Sequence, residues 1–83
     1  MTSDAIYARL TELFREIFED PALVLRPETT ANDVPGWDSG RMVEILMATE
    51  EAFGITLTTR EVDALARVGD LADTVARKTG GGA

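Results

Sequence analysis

Two side chains on which many active sites depend are missing here: the 83 residues include no cysteine and no histidine. Without cysteine there is neither a disulfide framework nor a thiol nucleophile, and the composition fits a cytoplasmic protein. Without histidine, the commonest general base and metal ligand is also absent. The acidic residues are scattered, without the spacing of a calcium loop, so we predict no metal site.

Basic side chains are also scarce, with 8 Lys and Arg against 15 Asp and Glu and a formal net charge of −7. Such a chain offers no basic stripe to nucleic acid and is repelled by anionic membranes. The negative charge suits basic protein partners, or it serves only to keep the protein soluble. Charge by itself favours the solubility explanation. No apolar run approaches the length of a membrane span, and the start, MTSDAIYARL, lacks the pattern of a signal peptide.

Apolar residues recur at helical spacing over residues 3–19, which predicts a first helix in a single small domain. Thr2 or Ser3 is placed to cap its start, and Asp20-Pro21 is predicted to end it. The predicted core stripe of this helix comprises Ile6, Leu10, Leu13, Phe14 and Ile17.

All three prolines fall within residues 21–38, where little periodicity remains. The stretch ALVL at 22–25 suits a short strand or a buried loop. We predict the loop, because no second strand is available to pair with it. Loops of this length in a small domain are often functional or contain a short helical turn.

Residues 39–53 give the strongest helical pattern, with Asp38 or Ser39 as the cap and Gly54 as the stop. After a link at 55–57, Thr58 and Glu61 form a predicted capping box that opens a short third helix, ending near Leu65.

A last helix is predicted to begin near Gly69–Asp70 and to fray before Lys78. The predicted architecture is an all-α four-helix bundle, with three longer helices, one short third helix and a long loop between the first and second helices. The predicted domain covers residues 1–78 and is followed by a flexible tail at 79–83.

The second helix carries two apolar stripes. Met42, Ile45, Leu46, Thr49 and Phe53 form a predicted core stripe. Val43 and Met47 instead align with Ser39, and Glu44, Glu50 and Glu51 flank them. This second strip is either a docking surface for a basic partner or an apolar patch that the long loop buries, and periodicity does not separate the two.

Ser39 has no partner for hydrolytic chemistry. A nucleophilic serine needs a nearby base, and Arg41 stays protonated. GWDSGR, at 36–41, also departs from the G-x-S-x-G elbow of hydrolases. On local grounds the serine is a helix cap.

Three motifs, taken in order along the chain, resemble those of the acyl carrier protein family. They are DSG at 38–40, EEAFGI at 50–55 and VGDL at 68–71, and the resemblance extends over nearly the whole chain. The resemblance implies that Ser39 receives 4′-phosphopantetheine from coenzyme A through a phosphopantetheinyl transferase, with Asp38 and Gly40 beside the cofactor. It implies a non-catalytic monomeric carrier of acyl thioesters. It also implies that acyl-loading and acyl-processing enzymes dock on Arg41, Val43, Glu44, Met47, Glu50 and Glu51.

Several positions depart from the family pattern. Gly40 and Thr49 stand where leucine is usual, and Arg41 replaces a common acid and could pair with the phosphate. Thr49 is placed either to bond back to its helix or to leave room for a chain. Trp37 is placed to pack over the loop or to touch the arm, and we predict the loop. The departures suggest a specialised carrier in a fatty-acid, polyketide or related pathway. A peptidyl carrier, and a helical interaction domain that is never modified, remain alternatives.

Overall fold

The computed structural model describes residues 2–80, and four α-helices with one 3₁₀ helix account for the regular structure of that part. Helix α1 spans Ser3–Ile17, α2 spans Ser39–Phe53, α3 spans Thr59–Asp63 and α4 spans Val68–Lys78. The predicted all-α bundle with a short third helix is therefore confirmed. No helix in the described range is long and apolar enough to cross a membrane.

The end of α1 lies two residues before the predicted end at Glu19. Glu19 adopts a left-handed backbone with φ of 52°, which breaks the helical run. The N–H of Glu19 donates to Glu16 O at 3.3 Å and that of Asp20 donates to Arg15 O at 3.0 Å, the two bonds of a Schellman motif. A local turn, and not Pro21 itself, ends the helix. Its start is capped by the Thr2 hydroxyl, which accepts from Ala5 N–H at 3.1 Å.

The connection from α1 to α2 is an ordered loop with no strand at 22–25, as predicted, and its helical turn is the 3₁₀ helix Ala31–Asp33. Leu23, Leu25 and Val34 are buried in the core. Arg15 Nε also donates to Leu23 O at 2.8 Å, which fastens the loop to α1. The loop thus supplies part of the core that so short a chain needs.

Helix α4 is both longer and earlier than predicted. The N–H of Val68 donates to Thr29 O at 2.8 Å and that of Gly69 to Pro27 O at 2.9 Å. These loop carbonyls satisfy N–H groups that a helix start leaves open, so the helix begins one residue earlier, at Val68. At the other end it runs through Lys78, and residues 81–83 of the predicted tail lie outside the described residues.

The core lies where α1 packs against both α2 and α4. The buried apolar residues are Ile6, Leu10, Leu13, Phe14, Leu23, Leu25, Val34, Ile45, Val68, Leu71, Ala72 and Val75. Trp37 stacks edge-on against Phe14, with ring centroids 5.3 Å apart, and lies 6.1 Å from Phe18. Trp37 thus packs on two aromatic rings at the end of α1, and this contact places the start of α2 beside the end of α1.

The core stripe predicted for α2 is only partly buried. Ile45 and Thr49 are fully enclosed, whereas Met42, Leu46 and Phe53 are half-buried. The Thr49 hydroxyl donates to Ile45 O at 2.7 Å, the predicted bond back to its own helix. The helix ends at Gly54, whose φ of 64° is the left-handed conformation expected at such a stop.

Candidate functional site

The cap of α2 is Asp38, not Ser39. The Asp38 carboxylate accepts from Arg41 N–H at 2.9 Å, and its backbone is extended, as a cap residue requires. Ser39 is the first helical residue. Because its neighbour already satisfies the Arg41 N–H, the serine side chain is not needed to hold the helix.

The Ser39 hydroxyl is therefore available for chemistry. The residue is exposed, and within residues 2–80 its side chain makes no hydrogen bond. No acceptor in that same part of the chain binds the backbone N–H groups of Ser39 and Gly40. Open N–H groups and the positive end of the helix dipole favour an anion at this point. A phosphate ester on the hydroxyl fits this environment.

Gly40 leaves space beside the serine. A Cβ built there would meet only the Asp38 carboxylate, at 3.5 Å, which is an ordinary contact. The backbone does not require glycine at this position, since its φ is not in the left-handed region. The missing side chain keeps the approach to the Ser39 hydroxyl open.

An open groove of about 550 Å³ runs from Ser39 between α2, α3 and the start of α4. Most of its walls are apolar, and the charged members are Asp38 and Arg67. It is lined by Ala31, Trp37, Asp38, Ser39, Met42, Val43, Ile45, Leu46, Val62, Leu65, Ala66, Arg67, Val68 and Leu71. The half-burial of Met42 and Leu46 is explained by this groove, because both side chains face it and are not fully enclosed by the core.

Polar contacts hold α3 in place as one wall of the groove. Glu61 closes the predicted capping box with Thr58, and Lys78 Nζ lies 2.9 Å from its carboxylate. The N–H of Thr58 and then the Lys78 ammonium lower the pKa of Glu61 to about 2. The helix is only five residues long, Thr59–Asp63, and ends before the predicted Leu65. None of its residues is fully buried, so polar contacts matter more here than in the other helices.

The strip of Val43 and Met47 is exposed, at 55% and 64% of their surface. The alternative that the long loop buries them is wrong, because that loop packs instead over the end of α1 and the start of α4. Glu44 and Glu51 on the same outward side are also exposed. An apolar strip bordered by carboxylates thus leads away from Ser39.

Two residues predicted for partner contact have other contacts in the structure. The Glu50 carboxylate is half-buried and accepts from Leu57 N–H at 2.8 Å, which fixes the link to α3. The Arg41 guanidinium meets the Glu44 carboxylate at 3.3 Å and lines a groove between α1 and α2. Ser39 lines the groove on the opposite side of α2, so the predicted pairing of Arg41 with the phosphate does not fit this placement.

Comparison with known proteins assigns the chain to a family. Residues 8–75 match the family model described as a phosphopantetheine attachment site. An acyl carrier protein of Acidothermus cellulolyticus is 34% identical over 79 residues, covering 95% of this chain and 94% of the relative. The chain belongs to the acyl carrier protein family. The solution structure of the holo acyl carrier protein from Geobacter metallireducens superposes with a TM-score of 0.86 and 36% identity, covering 93% of this chain and 88% of that one.

Membership in this family accounts for a serine that is exposed and has no catalytic base beside it among the described residues. Acyl carrier proteins are non-catalytic, and their chemistry resides in a covalently attached 4′-phosphopantetheine. An exposed serine without a base is consistent with this role, because a carrier presents a hydroxyl to another enzyme and performs no reaction itself.

Sequence reasoning missed the wall of the groove formed by Val62, Leu65 and Arg67. Val62 lies in a helix too short to show a period, and Leu65 lies just beyond its end. Arg67 could not be recognised as a cap residue, because the last helix was predicted to begin near Gly69–Asp70 and it begins at Val68.

Proposed function

We propose that Ser39 is the attachment site of 4′-phosphopantetheine and that the protein carries acyl groups for partner enzymes. The observation that carries the proposal is the exposed Ser39 hydroxyl beside the unbonded N–H groups of Ser39 and Gly40. When bound, the cofactor supplies a thiol on a flexible arm, to which cargo is joined as a thioester.

The chain's own residues position and hold this arm. Asp38 fixes the first turn of α2, so the hydroxyl is presented from a rigid element. The N–H groups of Ser39 and Gly40 are placed to stabilise the phosphate charge. The absence of a side chain at Gly40 leaves room for the transferase to approach.

The groove between α2, α3 and the start of α4 supports an acyl cargo over an aminoacyl one. Its walls are mainly aliphatic and aromatic, and apolar surface removed from water contributes about 25 cal/mol per Å². A short acyl chain folded into the groove would be sheltered from water. An aminoacyl group would bring a charged ammonium into a site with few acceptors.

Partner enzymes are proposed to dock on the outward side of α2. This docking surface comprises Arg41, Val43, Glu44, Met47 and Glu51, with Glu50 at its edge. The exposed apolar pair supplies contact area, and the carboxylates supply long-range attraction to basic patches. The Glu50 carboxylate already accepts a hydrogen bond from Leu57 N–H. Its contribution is therefore to fix the link after α2 at the edge of the docking surface, and not to bind the partner directly.

We assign the protein to a specialised fatty-acid, polyketide or related pathway, acting as a cytoplasmic monomer. The assignment is motivated by Gly40 and by Arg41, whose guanidinium places a cation on the docking surface. Efficient acylation of the holo protein by the ordinary malonyl transferase of fatty-acid synthesis would contradict it.

Intact mass spectrometry tests the attachment site. Wild type and Ser39→Ala are each incubated with coenzyme A, magnesium and a broad-specificity phosphopantetheinyl transferase. We expect one phosphopantetheine on wild type and none on the variant. Because Asp38 is the cap, Ser39→Ala should change the free energy of unfolding by no more than about 0.5 kcal/mol. No addition to wild type would identify an unmodified interaction domain.

Charge reversal tests the docking surface. Glu44→Lys combined with Glu51→Lys should lower kcat/KM for the transferase, most strongly at low ionic strength. Asp63→Lys combined with Asp73→Lys is the matched control, since it makes the same change of charge at two exposed positions off this surface. Equal kcat/KM for the two double variants would show that only net charge matters.

A further inference from the structure

Arg67 occupies a position that its side chain does not suit. It is the cap residue of α4, where a side chain that accepts a hydrogen bond is favoured, and a guanidinium can only donate. A cation at a helix N-terminus is also opposed by the helix dipole. The start of α4 is satisfied without it, because Thr29 O and Pro27 O accept from Val68 and Gly69.

The same side chain lies on the rim of the Ser39 groove. Of the described residues that line this groove, Arg67 is the one cation. The other charged member, Asp38, is engaged with Arg41 N–H at the start of α2. A positive charge therefore lies at the edge of the largely apolar groove that Ser39 also lines.

The guanidinium is only loosely held. Asp70 Oδ2 accepts from the N–H groups of Ala66 and Arg67 at 2.9 Å each, which is the main role of that carboxylate. The Arg67 guanidinium reaches only Asp70 Oδ1, at 3.4 Å, and the Arg67 side chain is 54% exposed. Exposed pairs of this length contribute little to stability, so the guanidinium is available to a second anion.

We propose that Arg67 is an anion-binding residue of the groove and that it binds an oxyanion carried on Ser39. A guanidinium binds carboxylate and phosphate oxygens by donating two parallel N–H···O hydrogen bonds. The oxyanion has two sources, the phosphodiester of the arm and a carboxylate at the far end of an acyl group. The inference rests on the proposed attachment of the cofactor at Ser39. It adds that the groove prefers attached groups that carry a negative charge.

The test compares three attached groups on the same protein. Apo protein is loaded by the transferase from coenzyme A, from butyryl-coenzyme A or from succinyl-coenzyme A, and intact mass confirms each product. The readouts are the ¹H–¹⁵N resonance of the Arg67 Nε–H group and the Tm at low and high ionic strength. Variants Arg67→Gln and Arg67→Ser are compared with Arg60→Gln, which removes an exposed arginine that does not line the groove.

A phosphate ligand shifts the Arg67 resonance in all three loaded forms relative to the apo protein. A carboxylate ligand shifts it in the succinyl form alone and raises the Tm of that form above the butyryl form by about 4 °C. Because the two Arg67 variants lack this resonance, their readout is the Tm, and the Tm gain on loading is lost in both. Arg60→Gln keeps the Tm gain and the shift of the Arg67 resonance, and both weaken at high ionic strength.

An unchanged Arg67 resonance in every loaded form overturns the proposal, as does a Tm gain on loading that is equal in wild type and Arg67→Gln.

The variant Arg67→Ser separates anion binding from a structural role. Because serine is a good cap, the apo form of this variant should have the Tm of wild type or higher. A clear loss of Tm in the apo form would show that Arg67 supports the fold instead. Absence of any added mass is a different failure, since it overturns the attachment site and this inference with it.

Discussion

The backbone N–H of Gly69 donates to Pro27 O at 2.9 Å, and a Cβ built on Gly69 would lie 2.8 Å from that same oxygen. The loop and the start of α4 thus approach as closely as their backbones allow. Since the contacting atom belongs to the backbone, it cannot move aside as a flexible side chain would.

We expect Gly69→Ala to lower the free energy of unfolding by about 1–3 kcal/mol, through loss of this contact and the adjacent hydrogen bond. Urea denaturation followed by circular dichroism measures the change. Gly40→Ala is the matched control, because a Cβ there meets only an ordinary contact, and alanine should stabilise α2 by roughly 0.5 kcal/mol. Equal effects of the two substitutions would show that the approach of loop to helix is unimportant.

Glu50 and Glu51 are neighbours with different roles. Glu50 accepts from Leu57 N–H, whereas Glu51 is exposed. Glu50→Ala should cost about 1 kcal/mol, since it leaves the Leu57 N–H without its acceptor, and should speed amide hydrogen exchange at 55–61. Glu51→Ala should stay within about 0.5 kcal/mol of wild type. Slow exchange retained in Glu50→Ala would refute the role assigned to that carboxylate.

Acid should weaken the attachment of α3. The pKa of Glu61 is lowered to about 2 from 4.5, so its ionised form favours the folded state. This contribution is complete above pH 4.5 and is lost as the pH falls from 4.5 towards 2. Thermal unfolding of wild type and Glu61→Gln across that interval measures it. The Tm difference between them should shrink on acidification, and a constant difference would contradict the assignment.

Glu19 holds a left-handed backbone that costs less for glycine. Glu19→Gly should therefore raise the free energy of unfolding by about 0.5–1 kcal/mol. Glu19→Ala removes the same charge and keeps the unfavourable conformation, so it should give no comparable gain. If both variants stabilise the protein equally, the carboxylate at the end of α1 is the cause and not the backbone.

The sequence was most informative where local rules decide the structure. The span of α2 at 39–53 and the capping box of Thr58 with Glu61 follow from caps, a glycine stop and apolar spacing, and both are confirmed. The start of α4 was missed by one residue because its N–H groups bond to Pro27 and Thr29, some forty positions away. Hydrogen bonds between residues so far apart in the chain do not affect the spacing of apolar residues, so they cannot be predicted from it.

The candidate site could likewise be predicted from the sequence only in part. The motif predicts Ser39 as the attachment site. The exposure of Val43 and Met47 needed the structure, because periodicity cannot say where a long loop lies. The bond of Glu50 to Leu57 depends on the path of the link after Gly54. The groove is formed by three helices, and no single segment of sequence reveals it.

Asp38, and not Ser39, caps α2, and this arrangement separates maintenance of the fold from use of the serine. The hydroxyl can be esterified, or the ester hydrolysed, without removing a bond that the helix needs. We therefore expect the protein to fold whether or not Ser39 is modified. The proportions of the two forms in a cell would then be set by the rates of the modifying enzymes, and quality control that recognises unfolded chains would not tell them apart.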